Sequence, residues 1–366
     1  MPAPTPRAAT PALLFVPDIS GFTQFVQATE IEHSLHIIEE LLEELIEANS
    51  IGMQVSEVEG DAILFYRFGN PPSAEEFFQQ VQKMFINFHS HLRLYETQRI
   101  CQCGACGSAQ NLTLKIVAHY GPITQSHIKE HIKLFGQDVI TVHRLLKNDI
   151  AHHEYALFTQ ALTNEWPEVA TPPWARRQEG SQEYDVGAIN YGYVPLAPLR
   201  KLVPEPRVED FSIPGMTVPV FSCEHEVHAP MNLVFGVASH LPARLHWMQG
   251  AREVKMLNHD LNRIGTKHRC IVDKNSPVMV TNGSTRGADT ITLSETDEKK
   301  NMCSVYTFRQ EGNGQTRLTI DGFVKDSLVF RILFALLLKK KLTKWFHASG
   351  ENLKHYCEDL HKTQQH

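Results

Sequence analysis

Two carboxylates stand out for the company they keep. Asp18 follows the apolar run Leu13-Leu14-Phe15-Val16 and Pro17, and leads into Ile19-Ser20-Gly21-Phe22-Thr23. Asp61 lies in Val55 to Tyr66, which reads VSEVEGDAILFY. An acid at the end of a core strand, beside the amides of a turn, can hold a divalent cation and the phosphates it carries. Two such acids meeting at strand ends are the minimum for a two-cation phosphoryl-transfer site. Taken alone, Asp18 also suits a plain turn or helix-cap position.

That chemistry depends on the elements around it. Leu13 to Val16 reads as a buried strand stopped by Pro17. Gly21 lets the backbone turn tightly, and Thr23 is placed to cap a helix that starts near Phe22. Val55 to Tyr66 reads as two strands joined at Glu59-Gly60-Asp61, which puts Asp61 on a hairpin tip. Between them, 34–51 carries Leu35, Ile38, Leu41, Leu42, Leu45 and Ile46 at helical spacing, with glutamates on the other face. Asn70-Pro71-Pro72-Ser73 opens a second helix over 74–96, with Phe77, Phe78, Val81, Met84, Phe85 and Phe88 inward. Strands are expected over 112–119 and 122–128, a loop and helix over 134–148, a strand and short helix over 152–166, and terminal strands over 182–196. Strands alternating with helices packed on a sheet argue for an α/β or α+β fold, and α+β is the class expected.

The order strand, Asp-Ile-x-Gly-Phe-Thr, long helix, hairpin with Gly-Asp-Ala resembles the catalytic domain of class III nucleotidyl cyclases. His119-Tyr120-Gly121-Pro122-Ile123 is similar to that family's His-x-Gly-Pro turn. Phe135-Gly136-Gln137-Asp138-Val139 to Arg144-Leu145 is similar to its Trp-Gly-x-x-Val-Asn-x-Ala-x-Arg-Leu helix. The resemblance implies a ferredoxin-like cyclase fold, a homodimer with its site at the interface, and two Mg²⁺ or Mn²⁺ ions. It places the metal pair on Asp18 and Asp61, with the backbone of Ile19 beside them. Gly21, Phe22 and Thr23 would line the phosphates of a nucleoside triphosphate, and Arg144 would be the transition-state arginine. The departures are specific. The purine-reading Lys falls on Glu57, the purine-reading Asp on Lys133, and the transition-state Asn on Ile140. Glu57 could accept from a guanine edge while Lys133 donates to a carbonyl; both also suit a site that no longer turns over.

A second group with ligand chemistry is Cys101-Gln102-Cys103-Gly104-Ala105-Cys106. Three thiolates so spaced can hold Zn²⁺ with a fourth donor, for which His89, His91 or a cysteine of a partner chain are candidates. The same spacing suits a reduced, metal-free loop or a redox pair. The seven cysteines of the 366 residues are otherwise scattered, which is no secreted disulfide framework. A net charge of −6 and the lack of a basic, aromatic-interleaved stripe argue against nucleic acid as partner. The opening MPAPTPRAAT lacks the apolar core of a signal peptide. The most apolar run, Leu328 to Leu338, is too short to span a bilayer, which takes about 20 residues. A cytoplasmic protein is expected.

Three segments are expected: a nucleotidyl-cyclase-like domain over 11–197, a Pro-rich linker over 198–217, and a second domain over 218–362. In the last, a strand FSCEHEVHA is followed by Pro230, a helix MNLVFGVASH, several strand candidates and one long closing helix from Leu328 to Lys362. This order, with Val227-His-Ala-Pro230, resembles the helix-grip fold of START-like and polyketide-cyclase-like proteins. That resemblance implies an antiparallel sheet wrapped on a long helix, with an apolar pocket lined by Phe330, Leu333, Phe334 and Leu337. A lipid or an aromatic small molecule would be its ligand. The alternatives are that these residues fill a core or pack on the first domain. Lys339-Lys340-Lys341 reads as a solvated face, and a membrane-surface role needs a second signal beside it.

Three functions therefore follow from the sequence. The protein is an active cyclase with altered base selectivity, or a degenerate cyclase-like sensor or dimerisation module, or a carrier or sensor whose main activity is hydrophobic-ligand binding in the C-terminal domain.

Overall fold

The computed structural model describes residues 8–27, 31–101, 104–129, 131–166, 171–185, 187–207, 219–259 and 261–364. The chain forms two compact units, one of 1–96 and 103–206, the other of 97–102 and 207–366. Both are mixed helix and sheet.

The first unit is organised on β1 (Thr10–Ser20), whose residues Ala12 to Val16 are buried. Alternation is absent from this strand because helices or strands cover both of its faces, as a continuous apolar run requires. A helix α1 (Phe22–Gln27) and the amphipathic α2 (Ile31–Glu47) lead to a hairpin, β2 (Gln54–Glu59) and β3 (Ala62–Phe68). Helix α3 (Ala74–Thr97) opens with a capping box. The Ser73 hydroxyl accepts from Glu76 N at 3.2 Å, and the Glu76 carboxylate accepts from Ser73 N at 2.8 Å. Phe77 and Phe78 of α3 pack edge-on to Phe158, with Trp166 tilted against all three.

After α4 (Gly104–Ser108) the chain runs through β4 (Thr113–Ile128), β5 (His131–Phe135), α5 (Gln137–Leu145), β6 (Tyr155–Thr159), α6 (Gln160–Thr163), β7 (Gln178–Tyr184) and β8 (Gly187–Pro195). The strand order is β2-β3-β1-β4-β6-β8-β7, with β5 paired to β4. Among the described residues only β4 and β6 run parallel. Two expected strands over 112–119 and 122–128 are thus one 16-residue strand. Gly121-Pro122 does not turn the chain, because Gly121 pairs with Ala12 and Pro122 with Pro11 of β1. Gly121 serves a close approach instead: a Cβ there would lie 2.3 Å from Asp138 Cγ.

The second unit is a seven-stranded antiparallel sheet. Its elements are β9 (Phe221–Val227), α7 (Met231–Ser239), α8 (Arg244–Trp247), β10 (Glu253–Met256), β11 (Lys267–Ile271), β12 (Met279–Arg286), β13 (Thr290–Asp297), β14 (Met302–Glu311), β15 (Gln315–Val324), α9 (Leu328–Leu337) and α10 (Lys339–Gln364). The order is β10-β11-β12-β13-β14-β15-β9. Phe221, Cys223, His225 and Val227 alternate inward along β9 and meet α10. The segment around Arg99 joins this unit through a bridge to Arg263, and Ile264 N donates to Gln98 O at 2.8 Å.

One long closing helix was expected from Leu328; two are found, separated at Leu338, whose φ of −117° departs from the helical value although its N–H still donates to Phe334 O. The expected inward set on that stretch is divided as well. Phe334 is buried in the core and Phe330 packs against it, but Leu333 is 50 % and Leu337 71 % exposed. The helix puts one of its two apolar faces into solvent. The unit's interior is not wholly apolar. It holds a buried charged group, Arg244 with Glu295 and His268, and the Arg244 guanidinium lies 5.8 Å from the centre of the Trp247 ring.

Candidate metal and nucleotide site

Asp18 stands near the end of β1, opposite Lys115 of β4 on one side and Ala62 of β3 on the other. Asp61 is the second residue of a two-residue turn between β2 and β3, and its carbonyl accepts from Ile19 N at 2.9 Å. Gly60, at φ 61°, takes the first turn position, where a left-handed backbone favours glycine. The register of β1 with β3 therefore brings both acids to one end of the sheet. The Phe22 ring lies over that turn, 3.9 Å from where a Gly60 Cβ would stand.

The electrostatics at this corner are tense. Burial is the largest influence on Asp18 and raises its carboxyl; Lys115 draws it down and Asp61 pushes it up, leaving it at about 6. Burial likewise raises Asp61, against its own backbone hydrogen bond and Lys115. Lys115 Nζ is 3.4 Å from Asp18 Oδ1 and donates to Leu146 O at 3.3 Å. Sequence reasoning missed Lys115. Its signal was available: a lone cation between Leu114 and Ile116 in a strand otherwise buried. Two oxygen-donor carboxylates suit Mg²⁺ or Mn²⁺, hard ions that prefer such ligands.

The other expected site residues divide. Gly21 is a turn residue at φ 91°, and its carbonyl accepts from Phe25 N at 3.0 Å. Thr23 does not cap α1, because the helix begins at Phe22 and Thr23 lies exposed inside it. Glu57 sits at a bulge in the pairing of β2 with β3. Lys133 lies exposed on β5, opposite Ser126. Ile140 is exposed on α5. Arg144, four residues on, donates to Asp185 at 2.6 Å, an exposed pair. Helix α5 is held by its first turn. His119 Nε2 lies 2.6 Å from Asp138 Oδ1, and His119 Nδ1 2.8 Å from Thr159 Oγ1. The His119-to-Ile123 segment thus acts by seating the helix that carries Arg144.

The expected zinc group also changes composition. Cys103 lies outside the described residues. His89 and His91, the expected fourth donors, are engaged elsewhere, His89 with Glu154 at 2.7 Å and His91 with Glu40 at 2.7 Å. Buried Cys106 instead has His33 Nδ1 3.7 Å from its sulfur. Cys101 is partly exposed and falls in the short 97–102 segment of the second unit. In that unit His225, His347 and Glu351 hold donor atoms within 4.8 Å of one another, a set of the kind Zn²⁺ accepts. His225 Nδ1 lies 2.8 Å from Glu351, and a Cβ on Gly350 would strike its Nε2 at 2.2 Å, so glycine admits the ring.

The family described as protein of unknown function DUF2652 matches residues 38–155. The uncharacterised protein Rv2561/Rv2562 of Mycobacterium tuberculosis is 34 % identical over 137 residues, 36 % of this chain, and the chain spans 64 % of that relative's length. Among solved structures the chain is similar to adenylyl and guanylyl cyclases. One is the catalytic core of a rhodopsin-guanylyl cyclase with converted specificity, at 16 % identity, 51 % of this chain, 97 % of that one and a TM-score of 0.38. The adenylyl cyclase CyaB from P. aeruginosa is similar at 15 % identity, 51 % and 94 % coverage, and a TM-score of 0.39. A third is the non-canonical dimeric guanylyl cyclase domain of the RhoGC fusion protein of the aquatic fungus Blastocladiella emersonii, at 17 %, with 51 % and 97 % coverage and a TM-score of 0.37. Among the described residues no helix is long and apolar enough to cross a membrane.

Proposed function

We propose that the first unit binds a nucleoside triphosphate together with Mg²⁺ or Mn²⁺, with Asp18 and Asp61 as the protein's ligands to the cation. The observation that carries this reading is the pair itself. Two carboxylates are drawn to one strand end, both raised by burial, with Lys115 as the neighbouring cation. Like charges so placed are costly unless a cation offsets them. A divalent ion would supply that charge and neutralise the phosphates of the ligand. Gly21 and Phe22, where the chain turns beside the pair, would meet those phosphates.

A homodimer suits the same unit. Val55, Val58, Ile132, Phe135 and Ile140 are large apolar residues exposed on β2, β5 and α5. Glu57, Lys133 and Arg144 lie on the same three elements, so a second copy packed on them would bring those three toward a shared site.

The reading is one of binding, with turnover weak. The position that the cyclase resemblance gives to a hydrogen-bonding Asn is Ile140, and Arg144 is paired to Asp185. Removing one transition-state donor typically costs roughly 100- to 1000-fold in rate. Calorimetric titration with ATP and GTP, each with Mg²⁺, Mn²⁺ or chelator, tests the proposal. Binding is expected only with metal, and Asp18→Ala and Asp61→Ala are each expected to abolish it. Unchanged affinity in both variants would overturn the reading. Chromatography of the same mixtures for cyclic product separates a binding module from a working cyclase.

A further inference from the structure

Helix α9 has an unusual relation to solvent. At about 100° per residue, Phe330 and Phe334 share one side, and Phe334 is in the core with Phe330 packed on it. Leu328, Val329, Ile332 and Leu336 fall on the opposite side and Leu333 and Leu337 on the flank next to Phe330; all six, with Leu338, are between 46 and 77 % exposed. Single exposed apolar residues are ordinary; a continuous apolar helix face marks an interaction surface.

The charges beside it have one sign. From Ser327 to Gly350 there is no Asp or Glu, while Arg331, Lys339, Lys340, Lys341 and Lys344 fall within the stretch. Arg331 is 3.8 Å from Asp326; the four lysines make no ion pair among the described residues. Ala335 of α9 and Lys339, Lys340, Thr343, Lys344 and His347 of α10 line an open recess of about 500 Å³. The recess therefore lies where the apolar helix meets the run of lysines.

We propose that α9 and the first turns of α10 dock the protein on the surface of an anionic lipid membrane. The apolar face of α9 enters the acyl boundary, and the lysine recess holds headgroup phosphates. An apolar face and a polybasic cluster are the two signals that together give stable surface binding. A second copy of the chain fits less well, because its matching stretch offers no acid to the lysines. The proposal does not depend on the nucleotide reading of the first unit.

Sedimentation of the full chain with sucrose-loaded vesicles tests it. Vesicles of phosphatidylcholine with about a third phosphatidylserine should bind the protein, and phosphatidylcholine alone at least tenfold less. Raising the salt from 0.1 to 1 M should release it, since the screening length falls from about 10 to 3 Å. Leu333→Glu/Leu337→Glu and Lys339→Glu/Lys340→Glu should each weaken binding at least tenfold. All four side chains are exposed, and circular dichroism checks that the variants fold. Absence of binding to the anionic vesicles, or binding by both variants as strong as wild type, overturns the proposal. So does a solution dimer that Leu333→Glu/Leu337→Glu makes monomeric while vesicle binding is unaffected.

Discussion

Arg244→Met should destabilise the second unit by about 3 to 4 kcal/mol at pH 7, and the reason is Glu295. Both side chains are almost fully buried, and Arg244 Nη2 donates to Glu295 while Nη1 donates to His268 Nε2 at 3.0 Å. Burial alone would raise the Glu295 carboxyl; the guanidinium outweighs it and holds the group below its ordinary value of 4.5. Without Arg244 the buried carboxylate must take a proton in the folded state. At pH 7 that costs about 2.5 pH units at 1.36 kcal/mol each, or roughly 3.4 kcal/mol. The figure agrees with the 3–5 kcal/mol typical of removing one partner of a buried pair. The sign is specific. A carboxyl whose folded pKa is raised contributes a penalty that grows with pH, so at pH 5.5 the loss should shrink to about 1.4 kcal/mol. Urea unfolding followed by far-ultraviolet circular dichroism reads both values, as differences from wild type. Arg244→Met/Glu295→Leu removes the stranded charge and should recover most of the loss. A loss under about 1 kcal/mol at pH 7, one that does not shrink at pH 5.5, or a double variant no better than the single, would refute the reasoning.

Burial pushes the His268 imidazole down to about 4, against Glu295 and with Arg244. Its folded pKa is lowered, so stability falls as pH drops from 6.5 toward 4, by up to about 3 kcal/mol; His268→Gln should flatten that part of the urea-midpoint profile. Ser73→Ala breaks the capping box of α3 and should cost about 1 kcal/mol in the same assay. Gly121→Ala places a Cβ 2.3 Å from Asp138 Cγ and should cost about 1–3 kcal/mol, with loss of the His119–Asp138 contact seen in the imidazole NMR signals. Asp18→Ala and Asp61→Ala should remove metal-dependent nucleotide binding while leaving the fold intact, as circular dichroism would show.

Local pattern carried much of this protein. The strand through Leu13 to Val16, the amphipathic α2, the aromatic face of α3 and the hairpin tip at Asp61 all follow from apolar spacing and from Gly and Pro positions. These are signals among neighbours in the chain, and burial of one face enforces them. The mixed helix-and-sheet class follows from the same patterns. What sequence could not reach was decided by residues far apart. Strand register alone set Lys115 opposite Asp18. A pairing partner for β1 turned an expected Gly-Pro turn into continuous strand, and left Gly121 to make room for Asp138. Arg144 met Asp185 across 41 residues, and Cys106 met His33 in place of the histidines of α3. The apolar run after Ser327 shows the limit most clearly. Its composition says that the helix must bury something, and Phe330 with Phe334 does so. Both faces of that helix are apolar, so periodicity does not say which one the sheet will cover; only the packed second unit decides that Leu333 and Leu337 are left to solvent.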